Sequence, residues 1–110
     1  MSAKLQVEIR STESITHSTI YLQLQDISRL DVPSQVLSET IAHGVTIAPD
    51  HPIILTIDHA ETADPRLRPN LRVHVSQHGH RALHSGDLLT TETYPIGPDQ
   101  TAIIVTVSPI

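Results

Sequence analysis

The chain has 110 residues, enough for one domain with a modest core, and its lack of cysteine excludes a disulfide framework, a thiolate metal site and a cysteine nucleophile. Seven Lys and Arg against twelve Asp and Glu give a formal net charge of -5, and the basic residues are scattered with no aromatic residues among them, which argues against nucleic acid as a partner. The apolar 38% is Val, Ile, Leu and Ala with two tyrosines and no Phe or Trp, so the core must be aliphatic, and no apolar run approaches the roughly 20 residues of a membrane span.

Alternation with a period of two recurs along the chain, while an apolar stripe at helical spacing is missing. Leu5, Val7 and Ile9 face one way and Gln6, Glu8 and Arg10 the other, the pattern of a half-buried strand. Residues 18–27 repeat it, with Ile20, Leu22 and Leu24 inward and Tyr21, Gln23 and Gln25 outward. Residues 28–34, with Asp31 and Pro33, read as a loop, and 35–46 as a longer strand with a bulge or break before Gly44. Pro49, Asp50, His51 and Pro52 make a turn, after which Ile53, Leu55 and Ile57 alternate with Ile54, Thr56 and Asp58. Residues 59–70 carry Asp64-Pro65 and Arg68-Pro69, which forbid a long helix and predict an ordered excursion. Leu71, Val73 and Val75 alternate with Arg72, His74 and Ser76, and Gln77-His78-Gly79 then turns the chain into residues 80–85, a predicted β-hairpin. Residues 90–94 read as a short edge segment, 95–100 as a turn, and 101–107 as a last strand with Ile103, Val105 and Val107 inward.

Strands at this density, with no helix to cover them, must bury their apolar faces against one another. The expectation is all-β: a single domain over residues 1–110, a small antiparallel β-sandwich of about seven strands.

Eight histidines are the compositional oddity, and neutral imidazole is a common ligand of zinc, copper and nickel. The predicted hairpin register pairs Ser76 with His80, His74 with Ala82 and Arg72 with His84, with Val73 opposite Leu83 on the inner face. That register sets His74 diagonally between His80 and His84 at about 7 to 8 Å, so His74, His80 and His84 form a candidate metal site for Zn, Cu or Ni. The competing reading is solvated strand and turn residues with no metal or other cofactor. His51 and His59 bracket the strand after the Pro49 turn as partly packed strand-end residues, and His17 and His43 have no visible partner. Asp58 and Asp64 suggest turn capping more than acid–base work. Without a Gly-x-Ser-x-Gly elbow, a His-Glu-x-x-His pair or a glycine-rich loop (Gly44, Gly79, Gly86 and Gly97 stand apart), the sequence reads as non-enzymatic.

The run Ile20-Tyr21-Leu22-Gln23-Leu24-Gln25-Asp26-Ile27-Ser28, then Asp64-Pro65-Arg66, Leu71-Arg72-Val73-His74-Val75, Gly79, Leu83 and Thr93-Tyr94-Pro95-Ile96, resembles the YbaY/YscW family, which includes pilotin-like lipoproteins of type III secretion. The resemblance covers residues 18–107 and rests on strand order and spacing. It implies a β-sandwich that binds a peptide or protein partner, as pilotins chaperone a segment of an outer-membrane secretin, and it supplies no catalytic residues. Family members begin with a signal peptide and a lipid-bearing cysteine, and this chain departs from them there. As it stands it is expected in the cytoplasm; as a trimmed lipoprotein it belongs in the periplasm or at the outer membrane.

Overall fold

The computed structural model describes residues 4–28, 35–59, 66–97 and 99–110. Seven strands form in chain order: β1 Lys4–Ser11, β2 Ile15–Asp26, β3 Gln35–Ile47, β4 Ile53–Asp58, β5 Pro69–Ser76, β6 Leu88–Thr90 and β7 Ala102–Pro109, with no helix among the described residues. They make one sheet in the order β3-β2-β5-β6-β7-β1-β4. The alternating residues behave as their pattern requires. Leu5, Val7, Ile9, Ile20, Leu22, Leu24, Leu71, Val73, Val75, Val105 and Val107 are fully buried in one aliphatic cluster, joined by Ile57, Ile47 and Leu88.

The all-β domain of about seven strands holds, with two details changed. Its faces meet within one continuous sheet that curls until its two edge strands, β3 and β4, approach each other, where two separate sheets were expected. And β1 pairs with β7 in parallel, Val7 against Ile103 and Ile9 against Val105, while every other pairing is antiparallel. A parallel pair needs a long crossover, and here the whole intervening chain supplies it.

The curl has a local cause in the β2–β3 pair. Between Ile15↔Ile47 and Ser18↔Val45, β2 advances three residues and β3 two; between Ser18↔Val45 and Ile20↔Ala42, β3 advances three and β2 two. These two bulges, one on each strand, cancel, so the inward parity holds from Ile20 to Leu24, and a third irregularity between Leu24↔Ser38 and Gln25↔Val36 puts an extra residue on β3 near its start. His17 on β2 and Gly44 on β3 take left-handed backbone angles, φ 53° and 64°, and the Gly44 bulge is the break expected there.

The predicted hairpin is corrected. Residues 77–87 form no strand; β5 instead pairs with β6, His74 opposite Leu89 and Val75 opposite Leu88. Leu88 takes the inner place expected for Leu83, which is left on the surface. That choice buries Asp87 against His74, where the shorter hairpin would have left both in water. The segment expected at 90–94 is likewise displaced: β6 ends at Thr90 and lies between β5 and β7, not at an edge. Its shortness is made good by side chains and a second contact. Val73 N–H donates to Thr90 Oγ1 (3.3 Å), Thr106 N–H donates to the Tyr94 hydroxyl (3.0 Å), and the chain rejoins β5 where Leu71 N–H meets Tyr94 O and Ile96 N–H meets Pro69 O. Most of the loop expected at 28–34 and half of the excursion expected at 59–70 lie outside the described residues; Pro69 and Asn70 open β5.

Candidate functional site

Two surfaces stand out once the strands are placed. The first is the seam between β3 and β4. Among the described residues no backbone ladder joins these strands. Two hydroxyls span the gap: Ser38 Oγ donates to the Asp58 carbonyl (2.5 Å) and Thr40 Oγ1 to the Thr56 carbonyl (2.7 Å). Beneath them Leu37, Ala42, Val45, Ile53 and Leu55 are half-buried and rest on the core. The seam is therefore a strip of apolar side chains between two strand edges, closed by side-chain rather than main-chain bonds. The two carboxylates on its rim are both paired, Glu39 with Arg81 and Asp58 with Lys4, whose Nζ lies 2.9 Å away.

The second surface is the outer face of β2 and β5, covered by residues 77–87. The loop is fastened at two points. At its end the Asp87 carboxylate, itself buried, accepts from His74 Nε2 (2.9 Å), His84 N–H (3.1 Å) and Gln77 N–H (3.1 Å). Burial pushes the Asp87 carboxyl up, but the His74 bond and the two backbone N–H groups outweigh it and hold the group below its ordinary range. In its middle Arg81 makes a two-pronged bond to Glu39 on β3, both contacts 2.6 Å, and its guanidinium lies 4.9 Å from the centre of the Tyr21 ring. The bond to Arg81 is the main reason the Glu39 carboxyl titrates low, and Gln23 adds a donor at 2.7 Å. Tyr21 stacks on His74, ring centres 5.7 Å apart, and its hydroxyl donates to Gly79 O (3.0 Å). Tyr21, expected on an open face, is thus buried.

The three histidines chosen from the hairpin register do not come together. His74 is buried, with Nε2 committed to Asp87, while His80 and His84 are exposed on the loop with ring centres 6.1 Å apart. His78 takes the place nearest His84, 5.2 Å between centres. Among the described residues no group of three or more His, Asp or Glu side chains is arranged to hold a metal ion. His59 at the end of β4 is buried and His51 exposed; His17 sits in the β2 bulge, and His43 Nδ1 lies 3.4 Å from Thr19 Oγ1. Asp64 lies outside the described residues. Sequence reasoning missed Asp87 and the Glu39–Arg81 pair. Their partners are distant in sequence, and the only local cue to Asp87 was its place after Gly86.

Fold and surfaces together define a small all-β domain whose sheet curls nearly shut, with a side-chain-bridged seam and one loop-covered face. No protein-family model and no curated protein matches the chain. Among solved structures it is similar to an alternative pilotin from the type II secretion system of Vibrio cholerae, with a TM-score of 0.72 over 100% of this chain and 98% of that one. Sequence identity is 11%, so the likeness is one of fold. No helix among the described residues is long and apolar enough to cross a membrane.

Proposed function

We propose that the domain is a non-enzymatic, chaperone-like binding module that captures an apolar peptide segment of a protein partner in the β3–β4 seam. The observation that carries this reading is the seam itself: two strand edges face each other over half-buried Leu37, Ala42, Ile53 and Leu55, with two hydroxyls occupying carbonyls that a strand would otherwise pair. An incoming extended segment can take over those carbonyls with its own N–H groups and lay apolar side chains on the strip, the usual economy of strand addition. The net charge of -5 favours basic residues flanking that segment. The pilotin-like fold and the resemblance to the YbaY/YscW pattern support the same reading, with a segment of an outer-membrane secretin as the type of partner and the periplasm or outer membrane as the place of work.

The test uses synthetic secretin segments and short apolar peptides flanked by lysines, followed by backbone NMR of the whole chain. Shifts should run along β3 and β4, and Leu55→Arg or Ala42→Arg should abolish them while the circular dichroism spectrum is retained. Ser38→Ala with Thr40→Val removes the two internal bonds, lowering stability by about 1 kcal/mol each and tightening peptide binding. Shifts that map elsewhere, or binding indifferent to both sets of variants, would overturn the proposal.

A further inference from the structure

The outer face of β4, β1 and β7 is used neither by the seam nor by the loop at 77–87. The register sets its side chains in rows, with Gln6 between Thr56 and Ala102 and Glu8 between Ile54 and Ile104. Ile54 and Ile104 are 55% and 53% exposed, more than any other large apolar residue described, and one row brings them to either side of Glu8. An open groove runs beside them over Gln6, Glu8, Ala102, Ile103 and Ile104. Exposed apolar residues scattered singly need no explanation, but two in one row beside a groove mark a contact surface.

Charge identifies what covers it. The charged residues of these three strands are Lys4, Glu8, Arg10 and Asp58, and they cancel in two ion pairs on the face itself, Lys4 with Asp58 at 2.9 Å and Arg10 with Glu8 at 2.6 Å. The net charge of -5 is therefore carried by the rest of the chain. A basic partner would be drawn to that surplus rather than to this face. Two copies of the chain, by contrast, repel each other least where both present a neutral surface.

The rows are also complementary to themselves. A half-turn about an axis lying in the face, crossing the strands between the Gln6 and Glu8 rows, sets each of these rows over the other row of a second copy. Ile104 then lies over Ala102 of the second copy, large on small beside the groove, and Ile54 over the Thr56 methyl. Glu8 lies over the Gln6 amide, which can donate to its carboxylate, and Arg10 comes over the Lys4–Asp58 pair and shares its carboxylate. Every contact occurs twice, as a two-fold interface requires.

We propose that this face pairs with the same face of a second copy of the chain, forming a symmetric dimer held by Ile54 and Ile104. Three strands about 4.8 Å apart and roughly seven residues long give a flat footprint of roughly 350 Å² per copy, below the ~800 Å² per partner of a standard stable complex. The dimer is therefore weak and reversible, with a dissociation constant above about 1 µM. It leaves the seam free, because Leu55 rests on the core on the side of β4 opposite to Ile54.

Sedimentation equilibrium of the whole chain from about 10 µM to about 1 mM, with backbone NMR over the same range, tests it. A monomer–dimer equilibrium that stops at two copies is expected, with concentration-dependent shifts at the outward residues of β1, β4 and β7. Ile54→Arg and Ile104→Arg should each weaken association about tenfold or more. Leu83→Arg, an exposed apolar position on the loop given the same change of charge, should not. All three positions are exposed, and an unchanged circular dichroism spectrum confirms that the fold is kept. Raising salt from about 50 to about 500 mM should tighten the dimer, by screening the repulsion between two chains of net charge -5. A chain that stays monomeric at about 1 mM, association that runs on past two copies, weakening of the dimer by salt, or equal affinity in Ile104→Arg and Leu83→Arg would overturn the proposal.

Discussion

Asp87 is the one buried carboxylate among the described residues. It is fully buried and accepts three hydrogen bonds, one from the equally buried His74 and two from backbone N–H groups that shape the loop. Removing one partner of a buried pair strands the other, so Asp87→Ala should lower unfolding free energy by about 3 to 5 kcal/mol, read from urea denaturation. The pH dependence has a definite sign. The folded carboxyl titrates below its ordinary 3.8, because the His74 and backbone bonds outweigh burial. Stability from this group is therefore fully present above the unfolded value and is lost as pH falls through the lower folded one. The wild-type chain should weaken progressively below about pH 4, and Asp87→Ala, already weaker, should lack that contribution to the acid slope. At the same scale, Gly44 isolates a backbone effect. Its φ is 64° and a Cβ there would meet nothing within 4 Å, so Gly44→Ala should cost about 1 to 2 kcal/mol from backbone conformation alone, and Gly44→Asn less.

Among the elements, the loop at 77–87 distinguishes what local pattern can say from what it cannot. Strands β1, β2, β5 and β7 were legible because each buries one parity of aliphatic residues, and the bulge in β3 was legible because Gly44 interrupts such a run. The partner of β5 was not. Leu83 and Leu88 are both plausible inner residues beyond a turn, and a tight glycine turn favours the nearer one. The farther one wins because only that register buries Leu88 under Val75 while letting Asp87 reach His74, a long-range gain invisible to alternation. The histidine site inherited that error: His74 was assigned to a solvated face that the loop covers. The seam was illegible for a related reason, since which strands end as edges depends on the complete sheet order, including the parallel β1–β7 pair. Arg81 gives this element its own test. It ties the loop's middle to Glu39 and Tyr21, apart from the Asp87 anchor. Arg81→Ala should speed amide exchange at residues 78–84 while leaving exchange in the strand cores unchanged.

For the whole molecule, the sheet order makes β7 the joint. Among the described residues the β1–β4 pair joins the main-chain ladder of the sheet through β7, apart from the two seam hydroxyls and the Ala48–His51 turn, while β2, β3 and β5 lie on the other side beyond the three-residue β6. Such a joint can work in two ways: as a hinge, so that the β1–β4 pair comes away first, or as the element that makes both sides fall together. Burial decides between them. Val105 and Val107 are fully buried in the same cluster as Leu5, Val7 and Ile9 from β1 and Leu22, Leu71 and Val73 from β2 and β5, so separating the β1–β4 pair would expose core from both sides at once. Val105→Ala should therefore cost about 2 kcal/mol through lost methyl burial and the cavity left behind, and unfolding should remain a single transition. The two tyrosines read the two regions without interference, there being no tryptophan: the Tyr94 hydroxyl touches β7 at Thr106, while Tyr21 lies on β2 beneath Arg81. Fluorescence of Tyr21→Phe and of Tyr94→Phe, each made with and without Val105→Ala, should give coincident midpoints with the exchange-derived melting of β1 and β4. Earlier melting of β1 and β4 than of either tyrosine's surroundings would show instead that β7 is a hinge and that the seam opens by losing the whole pair.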